Sequence, residues 1–196
     1  MRFGSITNTI SLLSYPTIIV PTLYYSIAFG LGTALIHITG PTTFRETYHF
    51  NTSQIGLAIS IPAIIGSILG EFLSGTMSDE MLYLARKQHG YADPETRLHA
   101  TWIGAFFLPV GVIMQGVCLQ HNTHWAGPVA GIGIAAFGLQ IVSTPIVAYL
   151  VDCYDANAAE ISALLNFGRL MFSFPLRFYM VGPLIWPVSL FWLLTD

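Results

Sequence analysis

Long apolar stretches separated by short polar segments dominate this chain. Apolar character runs through residues 16–39, 54–74, 100–120, 125–151 and 158–181. A helix needs about 20 apolar residues to cross a bilayer, so each of these stretches predicts one membrane-spanning helix. The pattern therefore predicts an all-α integral membrane protein with the lipid bilayer as its surroundings.

The two ends of the chain depart from this pattern. Residues 1–15 form a lead rich in Ser and Thr, and the apolar run after it exceeds the about 7–15 residues typical of a signal peptide. Residues 184–196 are apolar but only about half as long as a bilayer crossing requires. We therefore interpret residues 16–183 as a bundle of five spans and residues 184–196 as a short further segment, which gives five to six membrane helices.

Composition and charge agree with a membrane protein. Charged residues make up 9% of the chain, 54% is hydrophobic and the mean hydropathy is +0.64, whereas soluble domains have about 25% charged residues. Asp, Glu, Lys and Arg are absent between Arg2 and Arg45 and between Arg97 and Asp152. The net charge of -3 identifies no partner. The chain has no basic patch, so a nucleic-acid partner is not expected.

Residues 75–99 form the longest polar segment, which we interpret as a loop between the second and third spans. This segment contains Arg86, Lys87 and Arg97. Cytoplasmic loops carry the excess of Lys and Arg in membrane proteins, so the loop is predicted to face the cytoplasm. Arg2 then places the amino terminus on the same side.

The second span also carries Gly66 and Gly70, two small residues four positions apart. This spacing is typical of helices whose backbones approach each other closely in lipid. A tight contact between the second span and a neighbouring helix is therefore expected.

Three segments resemble one known family. The segments GEFLSGTMSD (residues 70–79) and ARKQHGYADPETRL (residues 85–98) resemble the loop between the eighth and ninth helices of fungal drug and multi-substrate transporters of the major facilitator superfamily. The segment LVDCYDANAAEISALLNFGRLMFSF (residues 150–174) resembles the junction of their tenth and eleventh helices. The resemblance covers about residues 16–174 and implies the carboxyl-terminal six-helix half of a twelve-helix transporter.

This resemblance implies a function and a set of partners. It implies transport of small organic solutes by alternating access, in the plasma membrane, with the proton as a candidate coupling ion and neither enzymatic activity nor a cofactor. The partner would be a missing amino-terminal half or a second copy of the chain. The alternative is a truncated fragment that does not transport, or a membrane protein that serves as an interaction partner.

The resemblance also implies a gating role for the polar loop. In that family a loop carboxylate and nearby basic residues form a charge relay with the opposite half of the transporter, which locks the cytoplasmic side closed while the cavity faces outward. On this basis Gly75 and Asp79 match the loop signature, and Arg86 and Lys87 match its basic residues.

Polar side chains at membrane depth are costly and often mark solute pathways. By this criterion the candidates for a substrate cavity are Tyr24, Tyr25, His37, Gln140, Thr144, Asn166 and Arg169. Arg169 either faces the cavity or clamps a neighbouring helix through carbonyls or a carboxylate. No catalytic set is recognisable, and the pair His121 and His124 lacks a Cys or acidic partner, so no metal site is predicted.

Overall fold

The computed structural model describes residues 16–89, 94–121, 123–154 and 158–175. Its helices are α1 (Pro16–Phe29), a π-helical turn (Gly30–Ala34), α2 (Leu35–Tyr48), α3 (Thr52–His89), a 3-10 segment (Pro94–Ala100), α4 (Thr101–Gln120), α5 (Ala126–Cys153) and α6 (residues 158–175). The described part of the chain contains no strand. This arrangement confirms the prediction of an all-α fold.

Within the described residues, three helical stretches are long and apolar enough to cross a membrane. They are Thr52–Lys87, Glu95–Gln120 and Ala126–Cys153, and Thr17–Thr33 is a shorter apolar helix. The predicted lead (residues 1–15) and the short apolar segment (residues 184–196) lie outside the described residues, as does the part of the fifth predicted span beyond residue 175.

Helix α5 lies at the centre of the bundle. One buried cluster joins Val142, Ile146 and Leu150 of α5 to Ile18 of α1 and Ile161 of α6. A second cluster joins other residues of α5 to α2 and α3: Ile132, Ala135, Ile36, Phe44, Ile55 and Ile59. Because both clusters include α5, the polar groups of this helix are held in fixed positions relative to the surrounding helices.

Helices α3 and α5 run parallel and in close contact. A Cβ atom added to Gly66 would overlap the carbonyl oxygen of Gly133, and one added to Gly70 would lie 2.7 Å from the carbonyl oxygen of Phe137. One turn further along α3, the Ser74 hydroxyl donates a hydrogen bond to the Ile141 carbonyl at 3.4 Å. The predicted close approach at the small residues is thus confirmed, and its partner is α5.

The polar segment after the second span differs from the prediction. Gly75, Asp79, Arg86 and Lys87 all lie within α3, which continues without a turn to His89. Residues 76–89 contain no Gly or Pro and are rich in Met, Leu, Ala, Glu and other good helix formers. The expected loop at residues 75–99 is therefore a helical extension of the span for most of its length.

Aromatic residues gather at the end of the bundle where α3 and α5 begin. Phe50 lies 6.0 Å from Phe44 and 6.4 Å from Trp125, measured between ring centroids. The Tyr48 hydroxyl donates to the Thr123 carbonyl at 2.6 Å. Aromatic rings are enriched where a membrane meets water, so this end matches a membrane boundary opposite to the basic residues of α3.

Candidate functional site

A cavity of about 660 Å³ opens between α1, α3, α5 and α6. Its apolar walls include Tyr25 and Phe29 of α1 and Leu139 and Val147 of α5. Polar or charged side chains are contributed by α3, α5 and α6, and they are Glu71, Gln140, Ser143, Thr144, Asp152 and Arg169. We call this space the polar cavity.

Glu71 provides the acidic group of the polar cavity. Its Oε2 atom accepts one hydrogen bond from the Gln140 side-chain amide and another from the Thr144 hydroxyl, the second at 2.8 Å. Gln140 and Thr144 are four residues apart, so they lie on one face of α5. Two neutral donors of α5 thus orient a carboxylate of α3 toward the polar cavity.

Arg169 provides the basic group of the polar cavity. Its Cζ atom lies 4.9 Å from the centroid of the Phe29 ring, a cation–π contact. Within the described residues its Nε has no hydrogen-bond partner and its guanidinium forms no ion pair. The contacts of Arg169 thus place it on the cavity wall, and the clamp onto a carboxylate is not formed among these residues.

The structure brings together only part of the predicted set of cavity residues. Tyr25, Gln140, Thr144 and Arg169 line the polar cavity. Tyr24 lies on a separate groove beside Trp102. The Asn166 amide is exposed and donates to the Ser162 carbonyl at 2.9 Å, outside the cavity lining.

His37 belongs to α2, and its side chain lies outside the part of the structure that is described. Its predicted place in the cavity stays a prediction.

A cluster of charged groups lies at the end of the bundle where α5 ends, opposite to the aromatic residues around Phe50. The Arg97 guanidinium lies between two carboxylates, with NH1 3.6 Å from Asp79 Oδ1 and Nε 3.0 Å from Asp152 Oδ2. The N–H bond at Arg97 Nε does not point at Asp152 Oδ2. The contact between these two residues is therefore an ion pair without an aligned hydrogen bond. We call Asp79, Arg97 and Asp152 the ion-pair cluster.

The ion-pair cluster gives Asp79 of the loop signature a partner within this chain. Asp79 pairs with Arg97, whereas Arg86 and Lys87 are exposed and form no ion pair with any described residue. Gly75 lies in the helix, and a Cβ atom added there would meet open space. Asp79, the acidic residue of the signature, therefore forms its ion pair with Arg97, a basic residue 18 positions later in the sequence.

Three charged residues of these sites are absent from the predicted site residues: Glu71, Arg97 and Asp152. Glu71 is absent from the predicted cavity residues, although it lies inside the predicted span of residues 54–74. A carboxylate within a span is itself a signal of a functional site. Arg97 enters the predictions only as one of the basic residues that set the topology, because its contact with Asp79 joins the 3-10 segment to α3 and cannot be read from their spacing in the sequence.

Among the described residues, no group of three His, Cys, Asp or Glu side chains is arranged to hold a metal ion.

Comparison with known proteins shows several similar transporters. An uncharacterised transporter of Schizosaccharomyces pombe is 34% identical over 84% of this chain. The MFS-type transporter penM of Penicillium rubens is 32% identical over 82% of the chain, and the MFS transporter eqxG of Fusarium heterosporum is 34% identical over 85%. The chain belongs to the major facilitator superfamily. The predicted family resemblance is thereby confirmed.

The superfamily relatives are longer than this chain. The matched regions make up 34%, 31% and 34% of these three proteins, so the chain spans about a third of the length of the curated relatives it matches. No protein-family model matches the chain. No solved structure matches it.

Proposed function

We propose that the chain forms part of a secondary transporter that moves small organic solutes across a membrane by alternating access, with the polar cavity as its solute site. The observation that carries this proposal is the convergence of Glu71, Gln140, Thr144 and Arg169 from three helices on one space of about 660 Å³. Solute sites of this size, with apolar walls and a few placed polar groups, are typical of small-molecule binding.

The proposal includes a partner that supplies the second wall of the site. Transporters built from repeats place their site between the two repeats, and the polar cavity is lined here by helices of one bundle. The partner is an amino-terminal half, and a second copy of this chain is the alternative.

The proposal also includes a coupling ion and a location. The proposed coupling ion is the proton, as the family resemblance implies. The location is the plasma membrane, with the amino terminus in the cytoplasm.

A reconstitution experiment tests this proposal. We expect liposomes that contain only the 196-residue chain to take up no solute, because one wall of the site is missing. A fusion of the chain to the amino-terminal part of the S. pombe relative should restore saturable uptake of at least one member of a panel: tetraethylammonium, benzoate, 4-(aminomethyl)benzoic acid and glucose.

Empty liposomes provide the baseline for this experiment, and internal pyranine reports proton movement. Absence of saturable uptake of every panel member by the fusion would count against a transport role. Uptake without a pH change would remove the proton from the proposal. Saturable uptake by the chain alone, as a monomer, would contradict the need for a second wall.

The orientation leads to a separate expectation. In a background with Cys118 and Cys153 replaced by serine, a cysteine at Gln88 should resist an impermeant maleimide applied to intact cells, because Gln88 follows the basic pair at the end of α3. A cysteine at Glu46, which lies near the other end of the bundle, should be labelled. Labelling at Gln88 with protection at Glu46 would reverse the proposed orientation.

A further inference from the structure

The polar cavity contains opposite charges that do not pair with each other. Among the described residues, Glu71 accepts hydrogen bonds only from neutral donors, and no cationic side chain lies within ion-pair distance of its carboxylate. Arg169 rests against the ring of Phe29, and its Nε–H has no described acceptor. Both charged groups nevertheless line the same space.

The third charged group of the lining is already engaged. Asp152 lies 3.0 Å from Arg97 in the ion-pair cluster. Glu71 and Arg169 are therefore the two charges of the cavity that a bound molecule can neutralise. Charges at membrane depth are costly without a partner, so a ligand that pairs with both of them gains more than one that pairs with either alone.

We infer that the polar cavity selects amphoteric solutes, which carry a positively charged group for Glu71 and a negatively charged group for Arg169. The inference rests on the proposed function and names the solute class of the same site. Gln140 and Thr144 fix the position of the Glu71 carboxylate by donating to one of its oxygens, and the other oxygen is left to accept from an ammonium group.

The remainder of the cavity wall specifies the body of such a solute. Tyr25 and Phe29 present aromatic rings, and Leu139 and Val147 present aliphatic surface. Apolar and aromatic walls favour a flat hydrophobic body between the two charged groups. The expected solute is thus a small aromatic or hydrophobic zwitterion.

A matched set of radiolabelled probes tests this inference on the purified chain in lipid nanodiscs. The zwitterions are 4-(aminomethyl)benzoic acid and its 3-substituted isomer, which offer two separations between the charges. Their analogues with one charge are 4-methylbenzylamine and 4-methylbenzoic acid, and the neutral analogue is 4-methylbenzyl alcohol. We expect at least one zwitterion to bind about tenfold or more tightly than either singly charged analogue, the factor expected of one added charge-assisted hydrogen bond.

Two substitutions assign the charges to their residues. Glu71→Gln should abolish the preference for the zwitterion over 4-methylbenzoic acid, because the ammonium group loses its partner. Arg169→Gln should abolish the preference for the zwitterion over 4-methylbenzylamine. Glu80→Gln removes a carboxylate from the exposed extension of α3 and should leave both preferences unchanged.

Binding of the neutral alcohol serves as the control for folding, since neither substitution removes a group that it needs. Should Glu71→Gln fail this control, Thr144→Val is the substitute, and we expect it to reduce the preference over 4-methylbenzoic acid by displacing the carboxylate. Equal affinity of the wild-type chain for zwitterions and singly charged analogues would overturn the inference while leaving a solute cavity in place. Failure of all five probes to bind would overturn the inference, whereas the proposed function is tested separately by uptake through the fusion.

Discussion

Gly66→Ala should destabilise the bundle by about 1–3 kcal/mol, the usual cost of overpacking a well-packed interior. The added Cβ atom would overlap the carbonyl oxygen of Gly133 and lie 3.2 Å from the backbone nitrogen of Phe137. These are backbone atoms of the central helix, which cannot rotate away as a side chain can. The overlap can therefore be relieved only if α3 and α5 move apart.

Gly56→Ala is the matched control because it makes the same chemical change in the same helix. A Cβ atom added at Gly56 meets nothing within 4 Å, and alanine is a better helix former than glycine by about 0.5–1 kcal/mol. We expect this variant to be equally stable or slightly more stable. The stability of both variants is measured by thermal unfolding in detergent, followed by tryptophan fluorescence. Equal unfolding midpoints for the two variants would contradict the close contact between α3 and α5 at Gly66.

Arg97→Glu should also have a large effect, because it replaces a positive charge that lies between Asp79 and Asp152 with a third negative one. The Arg97 side chain is 18% exposed, and its partners are 74% and 41% exposed. The pairs are therefore intermediate between surface ion pairs, worth up to about 1 kcal/mol, and buried ones, which cost about 3–5 kcal/mol to break. We expect the free energy of unfolding to fall by about 2 kcal/mol. Most of this loss comes from the shorter contact, which is with Asp152.

Arg86→Glu makes the same change of charge on the same side of the bundle, at an exposed residue with no ion pair among the described residues. It should leave the thermal midpoint within error of the wild type. The double variant Arg97→Glu with Asp152→Arg should recover part of the lost stability by restoring one pair. A loss of stability in Arg86→Glu as large as that in Arg97→Glu would show that net charge, rather than the ion-pair cluster, determines the effect.

The sequence was sufficient where a local pattern determines the structure. Long apolar runs predicted the helices, because a span must satisfy its own backbone hydrogen bonds in lipid. The four-residue spacing of Gly66 and Gly70 predicted a close contact, since small residues on one helix face allow a backbone to approach. Membership of the superfamily was also readable, from three segments of the chain.

The sequence was insufficient where the contact depends on distant parts of the chain. The partner of Glu71 lies on α5, about 70 residues away, so its hydrogen bonds to Gln140 and Thr144 could not be read from spacing. The end of α3 was also misplaced. A fall in hydropathy at Gly75 marks where a helix leaves the lipid, but the helix itself continues to His89, because residues 76–89 contain no Gly or Pro.

Helix α3 extends well beyond its close contact with α5, and Pro62 lies on the other side of that contact. The 38 residues of α3 extend about 57 Å, nearly twice the roughly 30 Å of a bilayer core. Its close contact with α5 at Gly66 and Gly70 lies next to Glu71, whereas Arg86 is about 24 Å further along the axis. A tilt of about 10° around that contact would shift Arg86 by about 4 Å and Glu71 by only a fraction of an ångström, so a small movement at the polar cavity would accompany a much larger one at the exposed end of α3.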